Sequence, residues 1–162
     1  MTLCRLLSCL ILLSLSMVAP AQAAAAASKW RPLTTADTVG MFVMNDIGEF
    51  FFVTCPDKDD ACQYSVVLGV DCDERRMTPA LLSTDRGTEL LNLRCTAAGE
   101  RTVPAIADKN PERLLSGVDH VGVALGSGPG EFLVAKFTVT GFDAALADLQ
   151  KRHAARRAAA RP

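Results

Sequence analysis

Short apolar runs separated by turn residues are the feature that most constrains the fold of this 162-residue chain. Most of the runs are rich in Phe, Val, Leu or Thr, residues that favour β-strands, and Asn, Asp or Gly stands between many of them. Strands are predicted at 39–43, 50–54, 63–70, 77–84, 88–94, 118–125 and 132–140. Seven short strands predict a mainly β protein, an antiparallel β-sandwich or barrel with small helices added.

The connections between these runs predict hairpins. Residues 44–49 and 85–87 contain the Asn, Asp and Gly that tight turns require. The glycine-rich segment 126–130 resembles a phosphate-binding loop, but a strand and not a helix follows it, so it is interpreted as a hairpin turn. Pro79 lies inside the run 77–84 and cannot donate a ladder hydrogen bond, which predicts that this strand is at a sheet edge or is bulged.

Two helices are predicted. A short one covers 111–116, because Asn110 can cap it, Pro111 suits its first position and Gly117 can end it. The second is an amphipathic helix at the carboxyl end of the chain. Its apolar side is predicted to contain Phe142, Leu146, Leu149 and His153.

The amino terminus has the layout of a secretory signal peptide. Arg5 supplies a positive charge, residues 6–18 are apolar, and 21–23 is a small-x-small cleavage site, so 1–23 is predicted to be removed. The apolar stretch is shorter than the roughly 20 residues that cross a bilayer. The chain is therefore predicted to be periplasmic or secreted, with no stable membrane insertion.

The rest of the chain is divided by composition into a disordered leader at 24–29, a single β-sandwich domain at 30–150 and a basic Ala/Arg-rich tail at 151–162. Residues 24–150 hold eleven Lys and Arg against eighteen Asp and Glu, a net charge near −7. A body of that sign repels phosphate backbones, so no nucleic-acid partner is expected. The tail adds five basic residues and no acid, and is interpreted as a solvated end.

Four cysteines remain after the signal peptide, and an oxidising compartment predicts two disulfides among them: Cys55, Cys62, Cys72 and Cys95. Cys55 and Cys62 bracket a polar loop that can close on itself, which leaves Cys72 with Cys95. Ideal hairpins, however, would place Cys72, Met77 and Cys95 in one row across three strands. Two strand spacings are roughly 9.6 Å, beyond the roughly 7 Å that a bridge tolerates. Either that strand order is wrong or Cys55 pairs with Cys95.

Metal sites are not predicted. The cysteine spacing lacks the C-x₂₋₄-C element of zinc sites. Acidic residues flank the cysteines without the glycine and final glutamate of a calcium loop, so they are interpreted as a solvated acidic rim. These residues are Asp57, Asp59, Asp60, Asp71, Asp73 and Glu74.

No catalytic residue and no cofactor are assigned, and the chain is not expected to be an enzyme. His120 follows Asp119, and a cluster with Ser116 or Ser127 is conceivable, but no Gly-x-Ser-x-Gly turn presents a hydroxyl. His153 is placed in the frayed tail. The carboxylates considered as acid/base pairs are Asp46, Glu49 and Asp119.

A family resemblance rests on three features: Trp30, the Cys55–Cys62 loop, and a closing strand that passes into Gly-Phe-x-x-Ala-Leu-x-x-Leu at 141–149. With these the chain resembles the invasion-associated locus B family of exported alphaproteobacterial proteins. The resemblance implies a β-sandwich without known catalytic residues and a role in host-cell invasion or the envelope. The Cys72–Cys95 segment departs from the family pattern, where the second cysteine pair is closer together and later.

The functional prediction is an exported, non-enzymatic binding or accessory protein of the bacterial envelope with a protein or envelope partner. The predicted binding surfaces are the strand edge near Pro79 and the acidic loops, and binding through acidic loops would weaken with salt. Three alternatives remain: an inhibitor of a cationic hydrolase such as lysozyme, a small envelope hydrolase that uses His120, and a calcium-dependent module.

Overall fold

The structure is a computed structural model that describes residues 29–69, 72, 77–98, 101–108 and 110–160. The predicted signal peptide and nearly all of the predicted leader lie outside these residues. The described elements are β1 (Arg31–Thr34), β2 (Thr38–Met44), β3 (Phe50–Pro56), β4 (Gln63–Val67), β5 (Met77–Thr84), β6 (Gly87–Ala98), β7 (Arg101–Ile106), α1 (Glu112–Leu115), β8 (His120–Gly128), β9 (Glu131–Thr138) and α2 (Phe142–Ala159). No helix among them combines the length and apolar character needed to cross a bilayer.

The strands form one antiparallel sheet in the order β1-β2-β3-β4-β7-β6-β5-β8-β9, curled into a half-barrel. The predicted mainly β antiparallel fold with two small helices is confirmed. Consecutive strands pair except at two places: β7 lies between β4 and β6, so β4 pairs with β7, and β8 pairs with β5 instead of β7. This insertion joins the first four strands to the later ones.

The core lies on the concave side of the sheet. Alternate residues of each main strand point inward, as a half-buried sheet requires. The largest fully buried side chains are Tyr64, Phe51, Phe142, Met41, Leu82, Leu93, Leu115 and Leu149. α2 packs against β2, and its predicted apolar side is buried as expected from the spacing.

Trp30 joins the start of the described chain to the segment where α2 begins. Its indole Nε1 donates a hydrogen bond to the carbonyl oxygen of Val139 across 3.1 Å. Its ring meets Phe51 edge-on at 6.3 Å and lies 5.6 Å from the ring of Phe142. Because Val139 lies between β9 and α2 and Phe142 is the first residue of α2, these contacts fix where α2 begins relative to the sheet.

Two strands were not predicted. β1 is short and mostly exposed, so it carries no apolar alternation, and it pairs with β2 along its length. β7 contains Pro104 and lies in a segment without periodicity, yet six of its residues pair with β6. In both cases neighbouring strands supply the hydrogen bonds that the local sequence does not signal.

Helix α1 begins later than predicted. Pro111 is its N-cap and no side chain caps it, so Asn110 does not have the predicted role. Gly117 follows the helix with a φ of +66°, a left-handed conformation that glycine adopts readily and that suits the predicted end.

The strand that contains Pro79 is not at the sheet edge. β5 pairs with β6 on one side, where Pro79 lies opposite Asn92, and with β8 on the other. Pairing with β8 starts at Ala80, one residue after the proline, so the missing N–H costs no ladder bond on that side. The predicted exposed edge near Pro79 is therefore covered by β8 from Ala80 onward.

Both favoured disulfides are present. Cys55–Cys62 has a Cα separation of 4.2 Å, and Cys72–Cys95 has one of 5.8 Å. The geometric objection to the second bridge disappears because β4 pairs with β7 and not with β5. Cys72 lies outside the strands, beyond the end of β4, and so does not stand two strand spacings from Cys95.

Candidate functional site

The outer side of β6, β5, β8 and β9 carries an apolar row. The strand register places Leu90 opposite Leu81, Leu81 opposite Ala124, and Ala124 opposite Val134. Their sequence neighbours on the other side of the sheet, including Leu91, Leu82 and Val123, are buried in the core. Both sides of this part of the sheet are therefore apolar.

Several side chains on this side of the sheet are solvent-exposed. Leu90 is 72% exposed and Val134 54% exposed, and Phe132, two residues from Val134 on the same strand, is 65% exposed. Leu81 and Met77 extend the same side along β5. We call these five residues with Ala124 the outer apolar face. Exposed apolar patches on folded proteins are typical of protein or membrane interaction sites and of ligand-binding grooves.

Two cations flank the outer apolar face. Lys136 is two residues beyond Val134 on β9, opposite Gly122, and Arg94 lies opposite Met77. Neither forms an ion pair within the described part of the chain. The face therefore offers apolar surface with positive charge at two of its margins.

A cleft of about 470 Å³ borders this face, and we call it the His120 cleft. Its lining includes Ser83, Asp85, His120 and Lys136. The imidazole Nδ1 of His120 lies 3.5 Å from the Asp85 carboxylate, and the His120 side chain is 68% exposed. The carboxylate nearest His120 is thus Asp85, from the β5–β6 turn, and not the sequence neighbour Asp119.

The side-chain carboxylate of Asp85 accepts two hydrogen bonds from backbone N–H groups. Its Oδ2 accepts the N–H of Asp119 at 2.7 Å and the N–H of His120 at 3.0 Å. The N–H of Asp119, and to a smaller extent that of His120, stabilise the charged form of Asp85. They therefore hold the pKa of Asp85 below its ordinary value. The carboxylate therefore fixes the start of β8.

Of the other residues considered for catalysis, Asp46 lines the His120 cleft. Neither Ser116 nor Ser127 lines the His120 cleft. The hydroxyl-bearing residues that do line it are Ser83, Thr84 and Thr138, and the Ser83 hydroxyl lies 3.0 Å from the hydroxyl of Thr88. Glu49 accepts a hydrogen bond from the side chain of Asn45 across 2.6 Å, which fixes the β2–β3 turn.

The loop between Cys55 and Cys62, which we call the acidic loop, forms ion pairs with the basic end of α2. Arg156 Nη2 lies 2.6 Å from Asp57 Oδ2, and Arg157 forms an ion pair with Asp60. The Asp57 side chain is 21% exposed and paired with Arg156, so it is not part of a solvated rim, although the Asp60 side chain stays 88% exposed. Asp59 is exposed. The remaining predicted rim residues, Asp71, Asp73 and Glu74, lie outside the described residues.

As far as residue 160, the basic segment is not a solvated tail. α2 continues through it to Ala159, and Arg156 also donates to the carbonyl oxygens of Thr35 and Ala36. Arg152 donates to the carbonyl oxygen of Gly40 across 3.2 Å. These contacts place the positive end of α2 against β2 and the residues before it.

His153 lies against the Cys55–Cys62 disulfide. It is 7% exposed, and its Nε2 is 3.0 Å from the carbonyl oxygen of Pro56. The two sulfur atoms and one imidazole nitrogen lie within 4.8 Å of one another. The prediction of a frayed environment for this histidine is wrong, since the helical spacing that buries Leu149 also buries His153.

Beside this group is a second cleft, of about 490 Å³, which we call the disulfide cleft. Cys62, Tyr64, Glu112, His153 and Arg157 contribute to its lining. The Tyr64 hydroxyl is buried and has no hydrogen-bond partner among the described residues. Burial, and then the nearby Glu112 carboxylate, raise the pKa of Tyr64 above its ordinary value.

Sequence reasoning missed the two pairings that organise this region. His153 is 91 positions or more from the cysteines, and Arg156 is 99 positions from Asp57. The signal available was the helical spacing of Phe142, Leu146 and Leu149, which predicts that His153 is buried but not which residues it faces.

Comparison with known proteins gives one similar fold. No family model matches the chain, and no curated protein matches it by sequence. The crystal structure of invasion-associated protein B from Bartonella henselae is similar, with a TM-score of 0.51 and 19% identity over 75% of this chain and 92% of that one. At this identity the similarity establishes a distant likeness of fold.

Proposed function

We propose that this chain is an extracytoplasmic accessory protein of the bacterial envelope that acts, without catalysis, by binding another protein through the outer apolar face. The observation that carries the proposal is the row in which Leu90, Leu81, Ala124 and Val134 follow one another across four strands. An apolar row on the solvent side of a sheet gives little to folding and much to association, because it is buried only when a partner covers it.

Three observations support the location. The chain carries two disulfides, which persist in oxidising compartments. The predicted signal peptide agrees with export. The similar structure belongs to a protein described as invasion-associated, so a role at the cell envelope, and in contact with a host, is included in the proposal.

The partner expected from the chemistry is a protein with an apolar patch edged by carboxylates. Arg94 and Lys136 would meet these carboxylates at the margin of the interface. The acidic loop is a poorer candidate, because Arg156 already neutralises Asp57 and Arg157 already pairs with Asp60. This favours apolar docking over inhibition of a cationic hydrolase.

The test uses site-specific photo-crosslinking in the producing bacterium, with the crosslinker placed at Leu90 or at Val134. Ile47 is the matched control, because it is an equally apolar side chain, 77% exposed, in the β2–β3 turn. We expect the same protein adduct from both face positions and none from Ile47. An adduct with lipid or with a second copy of this chain, or the same adduct from Ile47, would contradict the proposal.

Substitution supplies the affinity measurement. Leu90→Asp and Val134→Asp should each weaken binding to the purified partner at least tenfold, while Ile47→Asp leaves it unchanged. Each charge is added at an exposed position, so melting temperature should change little and loss of binding is separable from loss of folding. Because apolar burial drives the association and only two cations lie at its margin, the affinity should fall only modestly as salt is raised.

A second candidate function, a small hydrolase, is favoured only by the His120 cleft. There the Asp85 carboxylate is placed to orient the imidazole of His120. The test is His120→Ala against His120→Gln in assays on envelope peptides and glycans. If the wild type is active and both variants are inactive, the hydrolase function replaces the binding proposal. If both variants keep the activity of the wild type, the hydrolase candidate is removed.

A further inference from the structure

The contact between His153 and the first disulfide joins three groups that bind soft metal ions. One imidazole nitrogen and the two sulfur atoms of Cys55 and Cys62 lie within 4.8 Å of one another. In the disulfide form the sulfurs are bonded to each other and have no thiolate to offer. The arrangement therefore becomes a donor set only when that bond is reduced.

In the neutral ring of His153, the hydrogen bond to Pro56 assigns the proton to one nitrogen and leaves a lone pair on the other. A carbonyl oxygen only accepts, so the Nε2 that faces Pro56 carries the proton and Nδ1 carries the lone pair. Metal-binding histidines in proteins usually donate their second N–H to a carbonyl or carboxylate, which fixes the ring. Pro56 already supplies this orienting contact.

The backbone keeps the two cysteines close without their covalent bond. Thr54 and Gln63, which adjoin Cys55 and Cys62, are directly paired in the β3–β4 ladder. Cys55 is itself paired with Val39 of β2. Reduction thus leaves both thiols at the end of a hydrogen-bonded hairpin, under the buried side of α2.

We propose that the reduced form of this protein binds one zinc ion through Cys55, Cys62 and His153. Two electrons and two protons from a dithiol reductant convert the disulfide into two thiols and oxidise the dithiol to its own disulfide. Zinc then displaces the two thiol protons and binds two thiolates and a neutral imidazole, a combination of sulfur and nitrogen ligands that it prefers.

The disulfide cleft gives the ion a route and a fourth ligand position. Cys62 and His153 both line it, so solvent or a small anion can reach the ion from that side. Three protein ligands with one open position are typical of zinc sites that exchange a ligand. The site therefore has two states, a closed disulfide in oxidising surroundings and a metal site after reduction.

The test uses Co²⁺ as an optical probe and then Zn²⁺, with the mature chain reduced by a phosphine that does not chelate metal. The Cys72→Ser/Cys95→Ser double variant has only the proposed thiols, and the Cys55→Ser/Cys62→Ser double variant is its matched control. We expect thiolate-to-cobalt charge-transfer absorption at one equivalent in the reduced wild type and the first variant. Neither the oxidised wild type nor the second variant should show it.

The contribution of the histidine is measured with His153→Gln. This substitution should weaken Zn²⁺ binding at least tenfold in the reduced protein while leaving the disulfide form folded. Zinc should also raise the melting temperature of the reduced wild type, by mass action on the native state. If reduction unfolds the chain, addition of zinc should restore its circular dichroism.

Several results would overturn the site. They are absence of cobalt absorption in the reduced wild type, binding that follows Cys72 and Cys95, affinity unchanged in His153→Gln, and a reduced unfolded chain that zinc does not refold. None of them bears on binding through the outer apolar face, so this proposal and the proposed function are tested separately.

Discussion

The guanidinium of Arg156 donates to the carboxylate of Asp57 across 2.6 Å and so joins the last turn of α2 to the loop closed by Cys55 and Cys62. The same side chain also bonds the carbonyl oxygens of Thr35 and Ala36. One cation thus holds the end of the helix to two separate loops.

Replacing Arg156 with Gln should lower the free energy of unfolding by about 1 kcal/mol. Charged hydrogen bonds contribute about 1.5–3 kcal/mol, and partial exposure of this pair reduces that value. Urea denaturation measures the change. Lys151→Gln removes an exposed charge from the same helix and should change stability by less than about 0.5 kcal/mol, so equal losses in the two variants would contradict the prediction.

Leu149→Ala should destabilise the protein by about 3 kcal/mol. Leu149 lies on the buried side of α2, and its truncation leaves a cavity. Leu90→Ala is the matched substitution on the outer apolar face and should stay within about 0.5 kcal/mol. Denaturant titration of both variants gives the difference. A comparable loss in Leu90→Ala would mean that the outer face contributes to folding and not to association.

Tyr64 is the chain's single tyrosine, so its ionisation can be followed by ultraviolet absorbance alone. Burial and Glu112 raise its pKa, and the native protein should show no tyrosinate at pH values near 10, where the unfolded chain does. The native state then holds a proton that the unfolded state has lost, so stability should fall as pH rises through about 10.

Tyr64→Phe is the control for this titration. It removes a buried hydroxyl that has no hydrogen-bond partner among the described residues, so stability near neutral pH should be unchanged or slightly higher. The fall in stability at alkaline pH should become shallower. Tyrosinate absorbance that appears in the native wild type at the ordinary pKa would show that the hydroxyl is accessible.

Asp85→Asn should remove part of the pH dependence of stability in acid. The pKa of Asp85 is lowered in the folded protein, so its contribution is present above the ordinary pKa of about 4 and is lost as pH falls below it. The wild type should therefore be more stable than the variant at neutral pH, and the difference should shrink in acid. Asp46→Asn, at an exposed position in the neighbouring hairpin, is the control.

Several features of the fold could be predicted from local pattern. Runs of apolar residues predicted the main strands, and the glycine-rich segment 126–130 predicted the β8–β9 hairpin. The helical spacing of Phe142, Leu146 and Leu149 predicted α2. β1 and β7 could not be predicted in this way, because their hydrogen bonds come from neighbouring strands and their own side chains are mixed.

The candidate sites were less predictable than the fold. Exposure of Leu90 and Val134 depends on which side of the strand faces the core, and the apolar row exists only after four strands are placed in register. The carboxylate next to His120 likewise comes from Asp85, 35 positions earlier in the chain, because the β5–β6 turn and the start of β8 meet at one end of the sheet.

The sequence by itself determined the class of fold and the amphipathic helix, because periodicity and turn residues are local properties. It left open whether Cys95 pairs with Cys72 or with Cys55. The tertiary structure alone decided that β7 separates β4 from β6, that Arg156 reaches Asp57 and that His153 meets the Cys55–Cys62 bridge. These contacts join segments far apart in the chain, and their partners are selected by how the whole sheet curls and where α2 packs on it, which no local run of residues encodes.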